Sequence, residues 1–371
     1  MRIGLNGGAS TVDRMVEQAV EAEADGFHTL WYPSAVAGDP LVAIAVAGRA
    51  TSKLEFGTAV LQTYTSHPAL MANRALSVAT AMGRPAFTLG IGPSHEPVIE
   101  GSFGLAYDHA GRHTEEYVTV LCGLLRGEAV EFHGDDFDVR LGTPASAEAV
   151  RVPVLVAALG SRLLRVAGSV ADGTILWMAN ARAVATHVAP RIGAAAQTAG
   201  RDAPRVVAGL PVAVHDDVDE ARETASKQFA MYGMLPNYQR ILEHGGLDNP
   251  GDAAIVGDEA SVRVSLQRYL SGKGHQVETT ASGEDALVRL KGSKYDAVIL
   301  DMRMPDLSGE QLYERLRSSD PSHAERVIFT TGDLVNEQMR RFLDGTGRPC
   351  VPKPFEFASF DQALPAARRR A

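Results

Sequence analysis

Seven short, uninterrupted apolar runs, each followed by a segment of helical spacing, fill residues 1–256. The runs are Arg2–Leu5, Thr29–Tyr32, Leu54–Gln62, Ala86–Ile91, Val152–Ala157, Gly173–Trp177 and Val206–Val214. A strand that is apolar throughout is buried on both faces, the condition of a parallel sheet covered by helices. The intervening helical segments are Thr11–Ala24, Leu41–Ala50, Pro68–Ala81, Arg112–Arg126, Leu163–Val170, Ala181–Thr198 and Val218–Tyr232, and Glu131–Val139 reads as a polar hairpin. This count and length favour a (β/α) barrel over an open doubly wound sheet. A barrel wants an eighth unit, and the pattern does not supply one.

From Ala254 the pattern restarts on a different template. Strands at Ala254–Val256, Gln276–Thr280, Ala297–Leu300, Arg326–Thr330 and Cys350–Val351 alternate with helices at Ser261–Leu270, Gly283–Leu290, Gly309–Arg317 and Val335–Leu343. The expected fold class is therefore α/β: an incomplete TIM-type (β/α)8 barrel over residues 1–252, then a flavodoxin-like domain with a five-stranded parallel sheet over residues 253–371. Gln276–Thr280 and Gly283–Leu290 could instead fill the barrel's eighth slot, but Ile299 and Phe329 would then lose their sheet partners. The first assignment leaves an open barrel edge, exposes Leu5, Val212 and Val214, and predicts self-association through that edge.

Charge narrows the partners. Of 36 Lys+Arg and 45 Asp+Glu, residues 1–256 hold 19 and 28, so the net −9 sits in the first part and the rest is neutral. Neither part is a basic polyanion binder, which argues against nucleic acid. Two cysteines, Cys122 and Cys350, cannot build a disulfide framework or a cysteine zinc site. No apolar run is long enough for a membrane span and the first residues do not read as a signal peptide, so a soluble, cytoplasmic protein is expected.

In (β/α) barrels the chemistry sits at the C-terminal ends of the strands. Those ends carry Gln62, Gly92 and His95, the turn Gly160-Ser161-Arg162, and Trp177-Met178. Free N–H groups at a helix start, a hydroxyl and a cation suit a phosphate. A short glycine turn also simply ends a strand. His95 is either a chemical group or a helix cap, and Trp177 either lines the mouth or joins the core. His67, His109 and His113 are spaced too irregularly for a metal and read as solvated or capping residues.

The segments FGTAVLQTYTSHP (56–68), FTLGIGPSH (87–95), VPVLVAALGSRLLRVAGSVADGTILWM (152–178) and AGLPVAVHDDVDEAR (208–222) resemble the luciferase-like monooxygenase superfamily, in its branch of deazaflavin-dependent oxidoreductases. The resemblance implies hydride transfer between a small organic substrate and 8-hydroxy-5-deazaflavin (coenzyme F420), with FMN as the alternative cofactor. It places the ring against a bulge at Ala59-Val60, in which a cis peptide is expected. It puts the cofactor phosphate at Gly160, Ser161 and Arg162, with Gly92 on the cofactor side. Gln62, His95 and Trp177 then line the ring or the substrate. Tyr32-Pro33-Ser34 stands where some members carry a catalytic histidine, which leaves the proton donor open.

In the second part, Asp301 ends the apolar run AVIL, another run ends near Asp258, a third in Thr330-Thr331, and a fourth precedes Lys353. Carboxylates, a hydroxyl and a lysine on one sheet edge can hold Mg²⁺ and a transferred phosphoryl group. With DMRMPDLSG, this set resembles the receiver domain of two-component response regulators. The resemblance implies Asp301 as phosphoacceptor, Thr331 and Lys353 on the phosphoryl oxygens, and Asp258, Asp301 and the Arg303 carbonyl on Mg²⁺. A histidine kinase or phosphotransfer protein would be the partner. Gly257 stands where the family carries a first acid, which should weaken Mg²⁺ binding. Both templates read almost identically around DEASVR (258–263), so the chain is read as a chimera joined there.

Overall fold

Trp31 sets the cross-section of the first unit. A Cβ on Gly57 would lie 2.2 Å from its ring, so the neighbouring strand has no side chain where the indole fills the interior. Trp31, Leu155 and Ile175, with Ala59, Val60 and Val207 against them, form an inner cluster, while the opposite faces of the same strands join the outer core. The computed structural model describes residues 2–8, 11–34, 39–142, 150–214, 217–257, 259–304, 306–331, 337–352 and 359–368. It divides into two compact units, 1–213 with 217–256, and 214–216 with 257–371.

In the first unit the strands run β1 (Gly4–Asn6), β2 (Thr29–Tyr32), β3 (Glu55–Thr58), β4 (Leu61–Gln62) and β5 (Phe87–Gly92). After the hairpin β6 (Val130–His133) and β7 (Asp138–Leu141) come β8 (Val154–Val156), β9 (Gly173–Trp177) and β10 (Arg205–Gly209). Seven of them form a parallel, nearly closed barrel sheet in the order β1-β2-β3-β5-β8-β9-β10, with β4 beside β5. The expected long third strand is broken at Ala59-Val60, whose peptide bond is cis. The seventh breaks at Leu210-Pro211, because proline cannot donate to a ladder.

Among the described residues β1 pairs only with β2, and β10 only with β9. Glu55 links these two edges across the N-terminal end of the barrel. Its carboxylate accepts from Arg2 beside β1 at 2.7 Å, from Arg205 at the start of β10, and from Thr88 at 2.9 Å. Arg205 also lies over the Trp31 ring, 5.5 Å from its centroid. Arg2, Glu55, Thr88 and Arg205 line a cavity of about 790 Å³ at that end, opposite the strand ends that carry the candidate site. Val212, in the strand after β10, is 71% exposed, whereas Leu5, expected to be exposed, packs against the core. The side chain of Val214 lies outside the described residues.

Two expectations for the second part are corrected. The apolar triplet after Ala254 forms β12 (Ile255–Gly257), but it pairs with β11 (Val212–Val214), anchored by the Ile255 N–H on the Pro211 carbonyl at 2.9 Å. Gln276–Thr280 is not a strand. The two facts are linked, because in flavodoxin-like order the second strand pairs only with the first. With that partner engaged elsewhere, its N–H and C=O groups have no ladder to join. Among the described residues the sheet is therefore three-stranded: β13 (Val298–Asp301), β14 (Val327–Thr331) and β15 (Cys350–Pro352), all parallel. Leu312, Leu316, Val327 and Phe329 fill one side of it, and Ile328, Val351 and Phe360 the other. Helices Glu96–Phe103, Pro236–Gly245 and Ser359–Arg368 appear where the sequence reading placed none. No helix among the described residues is long and apolar enough to cross a membrane.

Candidate functional site

The bulge and the glycines of β5 belong together. A Cβ on Gly92 would meet Ala157 Cβ at 2.7 Å and Val60 Cγ2 at 3.3 Å, so only glycine lets Val60 enter the barrel there. Gln62 follows in register with Gly92 and is half-buried. Two non-glycine residues at strand ends sit in the left-handed region, Ser94 (φ 64°) and Met178 (φ 61°). Such conformations persist only where packing enforces them, and they concentrate at functional sites.

One side of this mouth is polar. Thr63 Oγ1, Ser66 Oγ, His113 Nε2 and the Tyr117 hydroxyl are all buried with no hydrogen-bond partner among the described residues. Tyr64 stacks on His113 at 3.9 Å, and His113 and Tyr117 lie one turn apart on the helix Ala110–Leu125, both against Phe137. Burial lowers the His113 pKa, with Asp136 opposing it, and burial raises that of Tyr117. Unpartnered buried donors and acceptors are rare because each forfeits its hydration, so a cluster of them marks a candidate site for a polar ligand or ordered water. Sequence reasoning missed His113. Of the three histidines expected to be solvated or capping, His67 does cap its helix, its Nδ1 accepting from Ala69 N–H at 3.2 Å. His109 occupies an N-cap position without a side-chain bond. The signal for His113 was the i, i+4 pairing with Tyr117, which periodicity alone assigns to packing.

Next to this cluster the helix Ser161–Ser169 begins at Gly160 with no side-chain cap. Its first turn leaves backbone N–H groups unused, since the earliest helical bond runs from Leu164 N–H to the Gly160 carbonyl. A Cβ on Gly160 would meet nothing within 4 Å, so the approach to those groups is open. Arg162 points its Nε at Glu115 Oε2 (2.7 Å), and Arg165 takes the other oxygen at 3.0 Å. That pair joins this helix to the one carrying His113. His187, in a π-helical turn (Val184–Val188), holds the preceding loop through a 2.8 Å bond from Nε2 to the Leu159 carbonyl.

The other side is aromatic. His95 stands at the N-cap of Glu96–Phe103 but makes no capping bond, so the cap reading of this residue does not hold. Its ring meets Tyr232 and Tyr238 edge-on at 6.1 and 5.7 Å, and burial lowers its pKa. Trp177 meets Phe229 at 5.9 Å and Tyr232 at 6.5 Å, and its Nε1 is buried without a partner among the described residues.

In the second unit Asp301 ends β13 in register with Thr330, and its Oδ1 accepts from Arg303 N–H at 3.2 Å. Thr331 is buried at the end of the neighbouring strand. Asp258 and Lys353 lie outside the described residues. Asp306, within the DMRMPDLSG motif, accepts from Ser282 Oγ at 2.6 Å and from the N–H groups of Gly283 and Leu307 at 3.0 and 2.9 Å. These bonds, that of Ser282 first, hold its carboxyl well below the usual range. It pins the loop after Asp301 to the start of the helix Gly283–Gly292, a role the sequence reading did not assign.

Comparison with known proteins bears on the family and the fold. Residues 2–289 match the luciferase-like monooxygenase family model. The chain belongs to this family. Residues 253–365 match the response regulator receiver domain, so the two matches overlap across 253–289, which includes and extends beyond the shared stretch DEASVR (258–263). Among curated relatives, 5,10-methylenetetrahydromethanopterin reductase of Methanolobus tindarius is 26% identical over 246 residues, covering 66% of this chain and 74% of the relative. Response regulator MprA of Mycolicibacterium vanbaalenii is 34% identical over 116 residues, 31% of this chain. The chain spans about half (49%) of that relative's length. Among solved structures, the coenzyme F420-dependent tetrahydromethanopterin reductase of Methanopyrus kandleri superposes with a TM-score of 0.57 at 21% identity, covering 67% of this chain and 76% of that one. That likeness supports the luciferase-like barrel fold.

Proposed function

We propose that the barrel is a deazaflavin-dependent oxidoreductase and that the second unit is a phosphoacceptor receiver, fused in one polypeptide. The observation that carries the first half is the cluster of unpartnered polar atoms on Thr63, Ser66, His113 and Tyr117, set beside the uncapped helix at Gly160. Such a set fits a ligand with a phosphate and a polar tail, and the F420-dependent reductase of like fold supports the choice of deazaflavin. When bound, the cofactor supplies a ring carbon that gives or takes hydride. Ser161 and the first-turn N–H groups would bind its phosphate, with Arg162 adding charge. Ala59, Val60 and Gly92 would bear on the ring from the bulge side, while Gln62, His95 and Trp177 face the reacting edge. Burial lowers the His95 pKa and so favours the neutral imidazole, which could accept one proton from the substrate side and become imidazolium, or hydrogen-bond through its N–H.

In the receiver, Asp301 would take the phosphoryl group, with Thr331 and Lys353 on its oxygens and Mg²⁺ held by Asp258, Asp301 and the Arg303 carbonyl. A histidine kinase or phosphotransfer protein is the proposed partner, the cytoplasm the proposed location, and 1–252 and 253–371 the proposed domain limits. Self-association through β1 and β10 is proposed from their edges, which are unpaired among the described residues.

Arg162→Ala tests the cofactor reading. Arg162 is half-exposed and already shares Glu115 with Arg165, so its loss should weaken F420 binding by about 1–1.5 kcal/mol, near the lower end for a charge-assisted bond. The check is a fluorescence titration of the full chain with oxidised F420, with FMN as competitor. Unchanged affinity removes Arg162 from the site, and preferential binding of FMN moves the protein to flavin chemistry.

A further inference from the structure

Five rings, His95, Trp177, Phe229, Tyr232 and Tyr238, close one side of the barrel mouth, and none carries a formal charge at neutral pH. They come from distant stretches: the end of β5, the end of β9, and the helices Ala230–Met234 and Pro236–Gly245 with the residue before them. Trp177 lies two residues beyond Ile175, a member of the inner cluster, and side chains two apart on a strand share a face. Its ring therefore belongs to the interior face at the C-terminal end. Tyr238 is buried, whereas His95, Trp177, Phe229 and Tyr232 are each partly accessible, so the cluster presents a surface as well as a packed base. Met231 and Met234 extend the apolar character outward, 44% and 72% exposed.

Within this apolar wall one polar atom stands out. Trp177 Nε1 is buried and has no acceptor among the described residues, while the chain's other indole, Trp31, donates to Thr29 Oγ1 at 2.9 Å. A buried indole N–H normally finds a partner, and a ligand carrying an acceptor recovers what its absence forfeits. A carboxylate would meet the same donor but would have to be desolvated against five rings with no cation among them.

We infer that this wall receives an uncharged, largely apolar substrate whose carbonyl oxygen accepts a hydrogen bond from Trp177 Nε1. The inference rests on the reading of the mouth as the reaction site, and it makes Trp177 a substrate-side residue rather than a cofactor-side one.

Three probes of similar shape separate the terms: acetophenone, benzoate and ethylbenzene, titrated calorimetrically into the full chain with and without oxidised F420. Acetophenone is expected to bind at least tenfold more tightly than either of the others. Trp177→Phe, which keeps a ring and removes the N–H, should weaken acetophenone about tenfold, leave ethylbenzene unchanged and leave F420 affinity within twofold. In the wild type, acetophenone should shift one indole N–H resonance downfield, with the Trp31 signal as the fixed reference. That measurement holds even where the variant fails to fold. Benzoate binding as well as acetophenone, no binding of any probe, or neither indole signal moving would overturn the inference. So would a Trp177→Phe protein that loses F420 but keeps acetophenone. If F420 fails to bind while the probe pattern stands, the deazaflavin reading falls and the substrate wall remains.

Discussion

Asp301→Asn is expected to abolish phosphoryl labelling of the chain completely. Asp301 ends the buried strand β13, its Oδ1 already oriented by the Arg303 N–H, with Thr331 ending the adjacent strand. The loop that follows is fixed from the far side by Asp306, whose carboxylate caps the helix at Gly283. Asparagine keeps the size and can keep the Arg303 bond, so the sheet should survive while the nucleophilic oxygen is lost. Labelling with acetyl phosphate and Mg²⁺, followed on a Mg²⁺–phosphate-affinity gel, reads the result. Gly257 in place of the usual first acid should make wild-type labelling slow and demanding of Mg²⁺, yet wholly dependent on Asp301. Label that survives Asp301→Asn would place the acceptor elsewhere and break the assignment.

Glu55→Ala should be the most damaging single change in the barrel outside the hydrophobic core. Its side chain is only 16% exposed and faces Arg2 and Arg205, which flank the two strands that lack a second neighbour. Removing one member of a well-buried charge cluster typically costs 3–5 kcal/mol, because the remaining charges stay partly desolvated. Here Arg2 is 66% and Arg205 33% exposed, so solvent relieves part of that, and a loss of about 2 kcal/mol is expected. Both tryptophans lie in the barrel unit, so urea unfolding followed by tryptophan fluorescence reports on that unit specifically. Glu128→Ala, which breaks the exposed pair with Arg126, is the control and should change stability by under ~0.5 kcal/mol. Equal effects from the two substitutions would show that Glu55 does not brace the open edges.

Most of the barrel was legible because its strands are apolar on both faces and therefore unlike any amphipathic segment. The break at the Ala59-Val60 bulge was legible through the family resemblance, with its cis peptide, while the one at Pro211 was legible only in retrospect. Both interrupt runs whose apolar character continues on either side. The triplet Ile255-Val256-Gly257 could not be placed from sequence, because three apolar residues suit the edge beside Val212 as well as a receiver sheet. Its placement then decided that of Gln276–Thr280, a dependence between strands that local pattern cannot express. The candidate site divides in the same way. Gly160, Ser161 and Trp177 follow directly from strand ends, and Asp301 from its motif. His113 stacks on Tyr64 from a distant stretch of the chain, and a pairing at that separation leaves no periodic trace.

The central claim is that a barrel sheet of seven paired strands, continued by receiver sequence, still holds a hydride-carrying deazaflavin. Calorimetric titration of the full-length chain with oxidised F420 tests it most directly, repeated with His113→Ala. The account predicts saturable binding of one F420 per chain, weakened at least fivefold by the substitution, since His113 Nε2 would lose its ligand partner. Absence of binding at millimolar F420, from protein whose tryptophan fluorescence reports a folded barrel, would contradict it.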